Sequence, residues 1–120
     1  MEKNVLGKEL AVCSCEPMTG WMRDGYCNTD YSDRGVHTVC GIMTEDFLSF
    51  SKESGNDLST PRPESNFVGL KPGDHWCVCA GRWLEAFRAD RACLVDLNST
   101  HEESLAIIPL DALKSYSFNQ

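Results

Sequence analysis

No apolar run in this 120-residue chain approaches the length of about 18 residues that a membrane-spanning helix needs, so no transmembrane segment is expected. The opening residues, MEKNVLGKELAVCSCEP, are interrupted by charge and hold no apolar core of signal-peptide length. Basic residues are scarce. Eleven Lys and Arg face eighteen Asp and Glu, a net charge of -7, and no basic run is present. Phosphate backbones are bound by neutralising their charge, so nucleic acid is not an expected partner, and neither is a membrane. Several catalytic signatures are missing as well. There is no Gly-x-Ser-x-Gly elbow, phosphate loop or dinucleotide fingerprint. HEESL begins like a zincin helix, but Leu105 stands where the second histidine belongs. Asp24, Asp30 and Asp33 form an acidic loop without calcium-loop spacing, which reads as solvated. No internal repeat, linker or Cys-x-x-Cys knuckle occurs.

What remains is a globular composition, with 42% hydrophobic and 24% charged residues. The length suits one domain spanning residues 1–120. Seven cysteines are many for this size. Without an export signal they are expected to be reduced, all seven free, in a cytoplasmic protein; the odd count would leave one unpaired in any case.

Periodicity and punctuation give a coarse map. ELAVC (9–13) marks a weak strand, and residues 16–35 read as loop. VHTVCGIM (36–43) reads as a strand. Thr44 is a good N-cap for the helix EDFLSFSKES, whose Met43, Phe47 and Phe50 share a face and which Gly55 stops. A long loop follows, NDLSTPRPESNFVGLKPGD, of the kind that often carries function. HWCVCA (75–80) is a strand leading into a helix that ends near Ala89, with Ala80, Trp83, Leu84 and Phe87 on one face. Trp83 is therefore expected in the core. CLVDL (93–97) reads as a strand, Thr100 and Glu103 as a capping box opening a short helix, and Pro109 as the first turn of a last helix, LDALKSY. The expected class is α+β: a small sheet of three to four short strands, about four helices and long polar loops.

On an extended strand His75, Cys77 and Cys79 line one side and Trp76 and Val78 the other. Soft ligands on one face invite zinc, but Cys-x-Cys spacing is wrong for a zinc knuckle. Packing is the preferred reading, because reduced cysteines behave as small hydrophobes, and a strand apolar on both faces belongs in the middle of a covered sheet. No metal and no cofactor are expected. Cys27, in a polar loop near Arg23, is a candidate nucleophile, since a nearby cation favours the thiolate; anchoring of the loop on the core ranks above that role. Cys40 and His37 are the other catalytic candidates, although at i and i+3 they point to opposite faces. Binding candidates come from the polar loops: Arg23 to hold an anion, with Asp24, Asn56, Asp57, Thr60 and Asp74 to orient it. Turn formation by NDLSTP and by Asp74 explains part of that set equally well.

With DGYCNTD, HTVCGIMTEDFLSFSKESGNDLSTPRPE and FVGLKPGDHWCVCAGRWLEA in place, the chain resembles the bacterial domain-of-unknown-function family numbered 2237. The resemblance runs from NVLGKEL to THEESL. It implies a single small domain and carries no assigned activity, cofactor or catalytic residue. The family pattern often has arginine at the position of His75, which counts against His75 as a metal ligand.

Three functional readings follow, and none of them sets the oligomeric state. The first is a protein that binds a small polar or anionic molecule in a loop-built pocket, with thiol chemistry available to it. The second is a non-catalytic adaptor presenting Trp21, Tyr26 and Tyr31 as an aromatic patch to a protein partner. The third is a zinc-binding protein. A cleft lined by Arg23, Asp57 and a cysteine would favour the first reading, and a flat aromatic patch the second.

Overall fold

Strand β1 (Val39–Ile42) owes its central place to a residue pattern that can be buried on both faces. Its neighbours are β2 (His75–Val78) and β3 (Leu94–Val95), both antiparallel, in the order β2-β1-β3. The register pairs Val39 with Val78, Cys40 with Cys77, Gly41 with Trp76 and Ile42 with His75. Residues opposite each other share a face, so Val39, Val78, Trp76 and Val95 point one way, and Cys40 and Cys77 the other. This computed structural model describes residues 2–65 and 67–118.

The first face carries the main core. Helix α1 (Glu45–Glu53) packs there through Phe47 and Leu48, and α2 (Ala80–Arg88) through Ala80, Trp83 and Ala86. Trp83 is fully buried, as expected; its indole Nε1 donates to the Cys93 carbonyl at 3.1 Å and its ring stacks on Phe87. Thr44 caps α1 as expected, its hydroxyl accepting from the Phe47 N–H, and Gly55 follows the helix at φ 89°. Gly41 has a packing reason to be glycine: a Cβ there would lie 2.6 Å from the Cys93 sulfur. The last helix, α3 (Leu110–Ser115), buries Ala112 and Leu113. The fold is α+β and a single domain, with three α-helices among the described residues rather than about four. Short 3₁₀ turns at Pro63–Ser65, Leu97–Ser99 and Glu102–Ala106 take up the remaining helical signal.

Three local expectations change. ELAVC is not a strand; the N-terminal arm makes only isolated bridges, Lys3 to Glu9 and Asn4 to His101. It docks through buried Asn4, whose side chain accepts from the Leu6 and Lys8 N–H groups and donates to the Asn98 carbonyl. Thr100 is not the N-cap of the turn that follows it. Its hydroxyl donates to the Asp96 carbonyl and accepts from the Cys40 N–H, while His101 caps the 3₁₀ turn by accepting from Glu103 N–H. β2 is an edge strand rather than the middle of the sheet, and its outer side is covered by the Thr19 loop, whose hydroxyl accepts from the Cys77 N–H at 2.8 Å.

The largest correction concerns the cysteines. Cys13 is bonded to Cys40 and Cys27 to Cys77, with Cα–Cα distances of 5.7 and 5.3 Å. Cys15, Cys79 and Cys93 are the free thiols, so the expectation of seven reduced cysteines does not hold in this structure. An odd count guarantees at least one free thiol and says nothing against two pairs. The bonds have a structural rationale. Residues 5–38 contain no strand or helix, so their backbone is not tied down by a ladder, and the two bonds anchor them to Cys40 and Cys77 on the sheet's second face. Chain-entropy arithmetic for separations of 27 and 50 residues gives about 3.5 and 4 kcal/mol when each closure is taken alone. Those loops overlap, so the sum is smaller.

Candidate functional site

A cleft of about 310 Å³ opens beside the edge strand, between the loop 20–23, His37 and residues 57–65 with Phe67. Its floor is Trp76, with Phe67 packed edge-on at 5.3 Å between ring centroids. One wall is Trp21, stacked on the His37 imidazole at 5.9 Å with the planes 10° apart. The tight turn that presents Trp21 requires glycine at 20, where φ is 102° and a Cβ would run into the Tyr26 carbonyl.

Arg23 is set by the same turn. Its backbone lies at φ 55°, a region uncommon for residues other than glycine, and its N–H donates to the Gly20 carbonyl at 3.0 Å. Its guanidinium donates through Nη1 to the same carbonyl at 2.8 Å and lies over the Trp76 ring, 5.2 Å from the centroid. The cation is thus held at the floor with further N–H donors unused by these contacts. Arg62 reaches the cleft from the opposite loop, where its backbone exchanges two hydrogen bonds with Phe67.

His37 is oriented from behind. Asp33, buried, meets the imidazole Nδ1 at 2.7 Å with one oxygen, and with the other accepts the His37 N–H at 2.9 Å and the Thr29 hydroxyl at 3.0 Å. Burial pushes the Asp33 carboxyl up, but the hydrogen bonds and charge of His37, with the Thr29 hydroxyl, outweigh it and hold the group below the usual carboxylate range. An ionised Asp33 fixes Nδ1 as the protonated nitrogen, which leaves Nε2 as the atom free to serve a ligand in the neutral ring. Sequence reasoning placed Asp33 in a solvated loop. The signal that was there is its spacing of four residues before His37 across Gly35.

Of the binding candidates, the cleft gathers Arg23 and Asp57, with His37 from the catalytic set. Asn56 lines an adjoining recess that shares His37, Trp76 and Cys77 with the cleft and also holds Cys79 and Arg82. Asp57 is partly committed: its carboxylate accepts the Thr60 hydroxyl at 2.6 Å and the Ser59 N–H at 2.9 Å, and these bonds, the Thr60 hydroxyl foremost, lower its pKa. Thr60 is exposed and spends its hydroxyl in that turn. Asp74 caps the turn before β2 by accepting Lys71 N–H, and Asp24 lines a separate hollow with Glu9 and Tyr26. The two cysteine candidates are corrected. Cys27 and Cys40 are completely buried and disulfide-bonded, so neither presents a thiolate. The cysteine in the cleft wall is Cys77, through its bond to Cys27. Trp21, Tyr26 and Tyr31 line three different hollows rather than one patch.

Residues 3–117 match the profile of a family described as uncharacterized proteins conserved in bacteria (DUF2237). The chain belongs to this family. No curated protein matches the chain. Family membership accounts for the extent of the domain and brings no ligand or reaction with it, so the site of this DUF2237 protein is read from its own chemistry. No helix among the described residues is long and apolar enough to cross a membrane.

Proposed function

We propose that this DUF2237 protein binds a small anionic molecule with a flat apolar part in the cleft between Trp21 and Trp76. One observation carries the reading: two arginines and a histidine line an aromatic-walled cleft in a chain whose net charge is -7. A local cationic site on an acidic protein concentrates anions, and aromatic rings beside it favour a planar body. Arg23 and Arg62 would hold the anionic group, His37 Nε2 would accept or donate one directed hydrogen bond, and Asp57 would bound the ligand on the loop side. If thiol chemistry accompanies binding, its source is Cys79, half-buried in the adjoining recess, and not Cys27 or Cys40. The cytoplasmic location belongs to this proposal only with both cysteine pairs reduced there.

Tryptophan fluorescence tests it, because Trp21 and Trp76 face the cleft while Trp83 is sealed in the core. Titration with a panel of aromatic and aliphatic carboxylates and phosphate esters should give saturable changes for aromatic anions. Arg23→Gln and Arg62→Gln should each weaken binding roughly tenfold or more, as loss of a charge-assisted hydrogen bond does. Binding that ignores both substitutions, or a panel without a single saturable member, would rule the cleft out as an anion site.

A further inference from the structure

The four bonded cysteines form a packed cluster of their own, apart from the carbon core. Cys13 and Cys27 come from the irregular N-terminal region, Cys40 from the central strand and Cys77 from the edge strand, so four separate segments deliver one sulfur each. The sulfurs of Cys13, Cys27 and Cys77 all lie within 4.8 Å of one another, and that of Cys40 is bonded to Cys13. A tetrahedral zinc–thiolate centre has Zn–S bonds of about 2.3 Å and therefore sulfurs about 3.8 Å apart. The separations of Cys13 from Cys27 and Cys77 are thus already near those of a Cys₄ site, and Cys40, whose sulfur also lies within 4.8 Å of His75 and Asp96, joins them by side-chain rotation once the S–S bonds open.

We propose that, when both disulfides are reduced, Cys13, Cys27, Cys40 and Cys77 form a tetrahedral tetrathiolate site for a zinc ion. This site shares Cys77 with the wall of the anion cleft, and it differs from the strand set His75, Cys77 and Cys79, whose spacing is wrong for zinc, in drawing one ligand from each of four segments. Three of the four backbones have holds besides the sulfur bonds: Cys13 N–H donates to the Gly25 carbonyl, Cys40 N–H to the Thr100 hydroxyl and Cys77 N–H to the Thr19 hydroxyl. All four residues are buried, at 8% exposure or less, so water is kept from the ion. Reduction alone would remove the only covalent ties on residues 5–38, and the ion restores a cross-link among the same four segments.

The chemistry balances. A phosphine reductant gives two electrons to each disulfide and takes an oxygen from water, leaving a phosphine oxide and two thiols per bond. Binding of Zn²⁺ then releases the four thiol protons to solvent.

The test uses the full chain, reduced anaerobically with a phosphine and titrated with Co²⁺ as a spectroscopic stand-in for zinc. The expected result is one Co²⁺ per chain, with the intense visible bands of a tetrahedral tetrathiolate centre, discharged by one equivalent of Zn²⁺. The triple variant Cys15→Ser, Cys79→Ser, Cys93→Ser keeps the whole cluster and should give the same spectrum, whereas Cys77→Ser and Cys13→Ser should each lose it. No tetrahedral band in both the parent chain and the triple variant would overturn the site. So would a band that survives Cys77→Ser, or a three-sulfur, one-nitrogen spectrum abolished by His75→Ala.

Discussion

Cys40 and Cys77 sit directly opposite each other on adjacent strands, yet each is bonded to a cysteine from the N-terminal region and not to its neighbour. Their N–H groups point away from one another, to Thr100 and Thr19, which makes this a non-hydrogen-bonded pair, the closer of the two cross-strand arrangements. The sheet therefore offers two adjoining attachment points on its second face. An otherwise irregular segment is fastened there, and that fastening puts Trp21 and Arg23 beside Trp76. Fold and cleft depend on the same four residues.

The free thiols should differ sharply in reactivity. Cys15 is exposed, Cys79 half-buried, and Cys93 fully buried with its thiol pushed far up by desolvation. A thiol reacts through its thiolate, so native-state alkylation at neutral pH should modify Cys15 first, Cys79 next and Cys93 only as the chain unfolds. Peptide mass spectrometry over a time course reads the order. Early labelling of Cys93 would show that the core beneath Gly41 is open.

Asp33→Asn should cost about 1.5–3 kcal/mol, the usual range for a hydrogen bond to a charged group. Its dependence on pH has a definite sign. Asp33 has a depressed pKa in the folded chain, so its contribution is present above the unfolded carboxylate value and is lost as pH falls through the lower folded one. Denaturant midpoints of the parent and variant should accordingly converge in acid and be furthest apart near neutrality. A constant gap across that window would mean that ionisation of Asp33 is not what stabilises His37.

Trp83→Ala should destabilise by about 3–5 kcal/mol, as large-to-small aromatic changes in a core do. Trp83→Phe should cost less but more than volume alone explains, because the Cys93 carbonyl loses its Nε1 donor. Chemical denaturation measures both. An unchanged midpoint for the alanine variant would refute the packing of α2 described above.

Local signals carried most of the regular structure. Thr44 before Glu45 and Asp46, Gly55 after the helix, and the face formed by Ala80, Trp83 and Phe87 are all short-range patterns, and each element formed where the pattern placed it. The two-sided strand was legible because alternation along His75–Val78 separates Trp76 and Val78 from Cys77. The cysteine pairing was not legible. Partners 27 and 50 residues apart are chosen by the folded path of a segment that has no period of its own, and composition says nothing of that path. The cleft was legible in part for the same reason. Arg23, His37 and Asp57 stand out as chemistry-bearing residues in loops, whereas Trp76 and Arg62 join them only through the tertiary approach of two loops to an edge strand.

Two disulfides fasten the N-terminal region to the sheet's second face. Unfolding the chain, purified without reductant, in the presence of a metal chelator and an alkylating agent, then mapping its peptides, reads those links. The expected map has three alkylated cysteines, Cys15, Cys79 and Cys93, with Cys13 linked to Cys40 and Cys27 to Cys77. Seven alkylated cysteines, or a Cys40–Cys77 link between the facing strands, would contradict it.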